Sequence, residues 1–298
     1  MTYVEPVNQS DGDTVTLSIW DQNVVANIKA LRPGAYSGGY VTRSSTNLLY
    51  APASSNKVYC YESGAWIPKD IPDAGITVAC TGLTASTLYY LYVYDSSGTL
   101  TLDLTSATAP TSQNGVLVKN GATGRLFLAY CYSDSSGAVK SFNEDATVHL
   151  ICNVYNKRLI AVTRTDTTAS WTYQGNWRSA NNSTSNRVQI VTDGLNQVLC
   201  TYLAPVVPAS GSPGAAGIGL DSTSADSAQG HVGNGNGSVA PMLAIYTGTP
   251  GAGFHFLQAL EGTFNNTSGV ATFGGRGAGG SGGVDYDRQM AITAIGLF

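Results

Sequence analysis

The clearest pattern along the chain is strict alternation of apolar and polar positions over short runs. Thr99 to Leu104 sets Leu100, Leu102 and Leu104 on one face and Thr99, Thr101 and Asp103 on the other, the period of a half-buried strand. Leu88 to Tyr94 is apolar and aromatic on both faces, which suits a strand covered above and below. Asp95-Ser96-Ser97-Gly98 lies between them, with a glycine where a left-handed residue is needed, so the segment reads as a β-hairpin. Further strands are expected at 47–51, 57–61, 65–68, 76–80, 115–119 and 125–132. A second Asp-Ser-Ser-Gly turn at 134–137 leads into an expected strand over 138–142, and 147–154 closes the block.

One helix breaks the β pattern. Over 18–31, Trp20, Val24, Ile28 and Leu31 share a stripe at helical spacing, Thr16 or Ser18 caps the start, and Pro33-Gly34 ends it. Such a helix docks on its own domain or packs against copies of itself in an assembly. Past residue 157 the composition shifts. Glycine-rich loops at 211–219, 230–237 and 274–283 separate strand-like runs at 170–173, 187–192, 197–207, 216–222, 239–247, 253–261, 270–273 and 289–298. Short strands on long glycine-rich connections suit a jelly-roll-like sandwich. The expected organisation is therefore mainly β: an N-terminal anchoring segment over 1–35, an antiparallel β-sandwich over 36–157 and a jelly-roll-like head over 158–298. The last strand is apolar to the final residue, and another subunit is its expected cover. Met290, Ile292, Ile295 and Phe298 are the candidate contacts.

Composition narrows the function. Charged residues make up 11% of the 298, so neutral Ser, Thr, Asn and Gly must carry solubility. The net charge is −4 and no basic run exists, which excludes an electrostatic footprint for nucleic acid. No apolar run reaches the ~18 residues of a membrane span. The start, MTYVEPVNQSDGD, lacks the charged and apolar regions of a signal peptide, so synthesis in the cytosol with no exit by a signal-peptide route is expected. The five cysteines have no CxxC spacing and sit in apolar runs, as buried thiols do; one disulfide stays open.

Candidate chemistry is sparse. Gly275 to Gly280 matches GxGxxG, but no strand–loop–helix context surrounds it, and no P-loop motif occurs. His231, His255, Glu261 and Asp221 compose a metal site on paper, without the tight spacing of known sites. His149, inside a strand, reads as a satisfied core or interface residue. Asp285 and Asp287 flank Tyr286 at strand spacing and read as solvated or ion-binding loop residues before catalytic ones. In SWTYQGNW, Trp171 and Tyr173 are expected in the core, and Trp177 is the best exposed aromatic. With Asn176 and Tyr286 it forms a candidate receptor or glycan contact. No cofactor is expected.

The helix TLSIWDQNVVANIKAL resembles a short helix near the start of many tailed-bacteriophage tail and fibre proteins, W-N-x-x-V-x-x-N-x-x-x-L. Trp20, Val24, Asn27 and Leu31 match it, and Asp21 replaces the usual Asn. The block GLTASTLYYLYVYDSSGTLTLDLTSATAP, continuing into GVLVKNGATGRLFLAYCY, is similar to a segment of phage fibre-type structural proteins. CNVYNKR resembles their exit, with Val154 in place of tryptophan, and GIGLDSTSA and GAGFHFLQALEG resemble their β-rich heads. The resemblance implies a virion structural protein that is a homotrimer. Trp20, Val24, Asn27, Ile28 and Leu31 would then be an assembly helix contacting other tail or capsid proteins, and the head would meet a host surface glycan. A fibre or spike component is the first reading, a capsid decoration or head-fibre protein the alternative, and a virion-borne glycan-cleaving enzyme the third.

Overall fold

A computed structural model of the chain describes residues 36–207, 214–232, 240–263, 270–274 and 290–298. The expected helix over 18–31 lies outside them. Within them the fold is mainly β, built from antiparallel sheets, with one short parallel pairing of Val148–His149 on Arg187–Asp193 and a single 3-10 turn at Ala180–Asn182. Two compact units divide the chain. Unit 1 takes Met1–Cys80, Tyr89–Ala129 and Asn153–Asn156; unit 2 takes Thr81–Leu88, Tyr130–Cys152 and Lys157–Phe298.

In unit 1, Gly39–Ser44, Asn47–Pro52 and Ile76–Ala79 form a three-stranded sheet, and Lys57–Glu62 pairs with Ala65–Asp70. The aromatic hairpin forms as the alternation requires, from Leu88–Ser96 and Thr99–Thr105. Its loop is tighter than the sequence suggests. Ser96 pairs with Thr99, so Ser97 (φ 54°) and Gly98 (φ 91°) make the whole connection, both left-handed as in a type I′ turn. Asp95 accepts the Gly98 amide at 2.5 Å. Leu91, Tyr92 and Val93 are fully buried on consecutive positions, confirming cover on both faces. On the partner strand, Asp103 is held by Lys119 at 2.8 Å and by Arg125, whose guanidinium also lies over Tyr94.

Unit 2 is a two-sheet sandwich. One sheet centres on the long Ala252–Thr263 strand, flanked by Arg187–Asp193 and Gly214–Leu220. The other centres on Val198–Val207, with Ala291–Leu297 and Leu159–Thr165 on one side and Ala240–Gly248 on the other. Their facing sides share one core, in which Val188, Ile190 and Leu257 meet Val162, Tyr202, Ile292 and Phe298. Dry burial of this kind contributes about 25 cal/mol per Å².

Three expectations are corrected. The second Asp-Ser-Ser-Gly sequence does turn the chain, with the Gly137 amide on the Asp134 carbonyl at 3.0 Å, but 138–142 is not a strand. A single bridge joins Ser133 to Val139; beyond it the Lys140 carbonyl accepts the Leu150 amide, and Ser141 turns onto Glu144. Met290, Ile292 and Phe298 are fully buried inside the single chain, so they are core residues and line no surface for another subunit. Of the four candidates only Ile295 lies on the outward face. His149 is buried but not satisfied: it packs between the rings of Phe142 and Phe298 at 5.6 and 5.5 Å, with neither ring nitrogen hydrogen-bonded. All five cysteines are buried thiols, none in a disulfide.

Candidate functional site

The expected contact residues Asn176 and Trp177 sit in the loop between Ser170–Tyr173 and Arg178–Ser179. Asn176 is exposed and its carbonyl accepts the Tyr173 hydroxyl at 2.7 Å. Trp177 is half-buried because its ring lies on two glycines: a Cβ on Gly262 would fall 3.0 Å from the indole, and one on Gly217 2.9 Å. Asn176, Trp177 and Gly262, together with Gly175 and Thr263, edge a groove of about 310 Å³. Tyr286 lies outside the described residues, as do Asp285, Asp287 and the helix residues Trp20, Val24, Asn27, Ile28 and Leu31.

Trp171 and Tyr173 pack against the core, as expected. Their loop is tied to a buried carboxylate. Trp171 Nε1 donates to Glu261, Arg178 Nε donates to it at 2.8 Å, and the Arg178 guanidinium stacks over Tyr173 at 3.6 Å. Glu261 is fully buried, and that burial outweighs both bonds and raises its pKa above the ordinary glutamate value.

This removes Glu261 from the metal set drawn on paper. His255 shares its strand but sits six residues away, roughly 20 Å along an extended chain. Instead His255 Nδ1 meets Asp221 at 2.7 Å and its Nε2 meets the Gly251 carbonyl at 2.8 Å, while Asp221 also accepts the Phe256 amide. The pair raises the His255 pKa. Among the described residues, no group of three His, Cys, Asp or Glu side chains is placed to hold a metal ion.

Two surfaces of unit 2 were not legible as sites in the sequence. The first is a polar cleft of about 370 Å³ on the sheet that carries Arg187 and Phe254. Tyr132 and Phe254 stack along its wall, centroids 4.1 Å apart and rings 16° from parallel. Arg187 lies over the Phe256 ring at 4.8 Å. Lys140 is engaged by Asp134 at 2.7 Å; burial pushes Asp134 up, but Lys140 and the Ser136 and Ala138 bonds outweigh it and hold it at about 2. Asp145 is capped by the Thr147 amide and hydroxyl at 2.9 and 2.6 Å. Arg164 reaches the cleft with its Nε buried and unbonded.

The second is the outer face of the sheet formed by Leu159–Thr165, Ala291–Leu297, Val198–Val207 and Ala240–Gly248. The inward positions of these strands build the core, so the alternate positions face out. Registers place Leu159 beside Leu297, Ile295 beside Leu199, and Leu203 beside Leu243. Leu159 is 73% exposed, Leu297 43%, Leu199 41% and Leu203 37%. Thr163 and Thr293 hydrogen-bond side by side at 3.0 Å near the centre. No outward position of these four strands carries a charge.

No family model matches the chain, and no curated protein does. Among solved structures, the chain is similar to the infectious bursal disease virus VP2 subviral particle at 14% identity, over 89% of this chain and 72% of that one, with a TM-score of 0.22, too low to assign a shared fold.

Proposed function

We propose that the chain is a self-associating structural subunit of a bacteriophage particle, a fibre or spike component that works by binding rather than by turnover. The observation that carries this reading is the uncharged outer sheet face of unit 2. A contiguous apolar face of leucine, isoleucine and threonine is costly to leave in water and marks a protein–protein contact. A charge-free face is self-complementary, so copies of the chain, three in the trimer that the phage resemblance implies, are its proposed occupants. Ile295 belongs to that face. The resemblance of the aromatic hairpin block to phage fibre proteins adds the virion, with other tail or capsid proteins and a host surface glycan as partners.

Mass photometry of the purified full chain tests self-association. A trimer is expected, and Leu199→Lys with Leu203→Lys should reduce it to monomers with an unchanged circular dichroism spectrum. A wild-type chain that stays monomeric at micromolar concentration overturns the reading. Electron microscopy of labelled virions separates a fibre from the alternative, a capsid decoration protein.

A further inference from the structure

We propose that the cleft of unit 2 bounded by Tyr132, Phe254, Arg164 and Arg187 binds an acidic saccharide. This deepens the attachment part of the proposed function and is independent of self-association.

The charge balance selects an anion. Of the three cations in the cleft, Lys140 is already engaged by Asp134. Asp145, the other carboxylate, has one oxygen saturated by Thr147, and Arg164 acts on it through space without a hydrogen bond. Arg187 has no carboxylate within ion-pair distance among the described residues; its guanidinium lies instead 4.8 Å from the centroid of the Phe256 ring. A cation placed over an aromatic ring is partly held in position, and a guanidinium fork can grip a carboxylate or sulfate in a bidentate manner. The unbonded Nε of Arg164 is a second donor, withdrawn from water and lacking an acceptor. A buried donor without a partner costs free energy that a ligand oxygen would recover.

The rest of the lining selects a sugar over a bare ion. Hydroxyls from Ser86, Ser135, Thr184 and Ser185 and the Gln189 amide surround the cations. These groups both donate and accept, as ring hydroxyls require. The stacked Tyr132–Phe254 wall adds apolar aromatic surface for the C–H face of a ring. The volume of about 370 Å³ lies within the range of small-molecule sites and far exceeds the needs of one sulfate. Chemistry at the cleft is not implied; its donors hold and orient.

The test is binding of the full chain to an array of defined oligosaccharides carrying uronate, sialyl or sulfate groups, with neutral counterparts, followed by calorimetry with the best binder. Acidic glycans should bind and their neutral counterparts should not, with affinity falling as salt rises. Arg187→Ala should weaken binding at least ~10-fold, as loss of one charge-assisted contact predicts. Arg187→Lys should fail to restore it. Because Arg164 is partly interior, Ser185→Glu at the exposed rim provides a variant that keeps the fold and should weaken binding by repulsion. Binding to no acidic glycan overturns the proposal, as does equal binding of neutral ones or binding unchanged by both Arg187→Ala and Ser185→Glu. Inorganic sulfate binding as tightly as the best glycan overturns the saccharide assignment. Mass photometry on the same samples reads self-association separately, so failure of one reading is distinguishable from failure of the other.

Discussion

Asn153 grips the peptide groups of Val41 with both ends of its side-chain amide: its Oδ1 accepts the Val41 N–H at 2.8 Å, and its Nδ2 donates to the Val41 carbonyl at 3.1 Å. Both residues are buried to within 1%. A few residues on, Asn156 Nδ2 donates to the Ser37 and Gly39 carbonyls at 2.9 and 2.8 Å. The first strand of unit 1 is thus hydrogen-bonded by side chains of a distant segment as though by another strand.

Asn153→Ala leaves a donor and an acceptor of Val41 unsatisfied in the interior. The expected loss is about 2–6 kcal/mol, from roughly 1–3 for each of the two orphaned groups. Urea denaturation measures it. A loss no larger than that of an exposed Asn→Ala control, such as Asn176→Ala, would show that water reaches the vacated site.

Glu261 and Arg178 face each other across the sheet as register partners. Arg178→Ala strands a fully buried carboxylate, with an expected cost of about 3 kcal/mol at neutral pH, whereas Glu261→Gln keeps an acceptor for Trp171 and should cost less. The raised Glu261 pKa means the folded state takes up its proton first, so this group makes stability rise as pH falls through the window above the ordinary glutamate value. Thermal melts of Glu261→Gln should lack that component. Equal losses from the two variants would refute the ranking.

Burial lowers the His149 pKa from 6.5 to about 4. The unfolded chain binds a proton near 6.5 and the folded chain only near 4. Stability from this group is therefore complete above about 6.5 and declines between 6.5 and 4, by about 3 kcal/mol in the limit. His255 runs the other way: its raised pKa gives stability that is complete below 6.5 and lost as pH rises through the folded value. His149→Phe should flatten the slope of unfolding free energy against pH between 6.5 and 4 by up to one proton. An unchanged slope would mean that His149 is protonated in the folded state.

Gly262→Ala places a methyl group 3.0 Å from the Trp177 indole. The ring must lift from its seat, at an expected cost of about 1–3 kcal/mol. The Trp177 indole resonance should shift, and Trp177→Ala in the same chain should recover part of the loss. Failure of that recovery would place the strain elsewhere.

The strand pattern was legible where one face is wet. Thr99–Thr105 and Arg187–Asp193 alternate and form as read. Leu159–Thr165 was missed because Leu159 and Ala161 on its outer face are as apolar as Ile160 and Val162 within, which erases the period of two. The apolarity that hid the strand is the signal of the contact face. The reverse error befell 138–142, where Ala-Val-Lys-Ser-Phe imitates a strand while Asp134 engages Lys140 and Glu144 bends Ser141 into a turn. The last strand was read correctly as covered, but sequence cannot say by what: Phe298 folds over Gly296 and meets His149 of its own chain. The cleft had no signal at all, since Tyr132, Arg164, Arg187 and Phe254 are scattered and each is ordinary alone. Trp177 was chosen for its loop, and the glycines beneath it explain why it stays half-covered.

The chain alternates between its two units before settling into the second, giving Thr81–Leu88 and Tyr130–Cys152 to unit 2 and returning Asn153–Asn156 to unit 1. Two units can be exchanged independently by a single crossover only where one point of the sequence separates them. Here a crossover at residue 157 would leave unit 2 with two segments from one parent and the remainder from the other, among them Tyr132 and Lys140 on one side of the join and Arg164, Arg187 and Phe254 on the other. A hybrid chain joined at residue 157 would therefore split the lining of one cleft between two sources, and only a graft that also carries Thr81–Leu88 and Tyr130–Cys152 moves unit 2 whole.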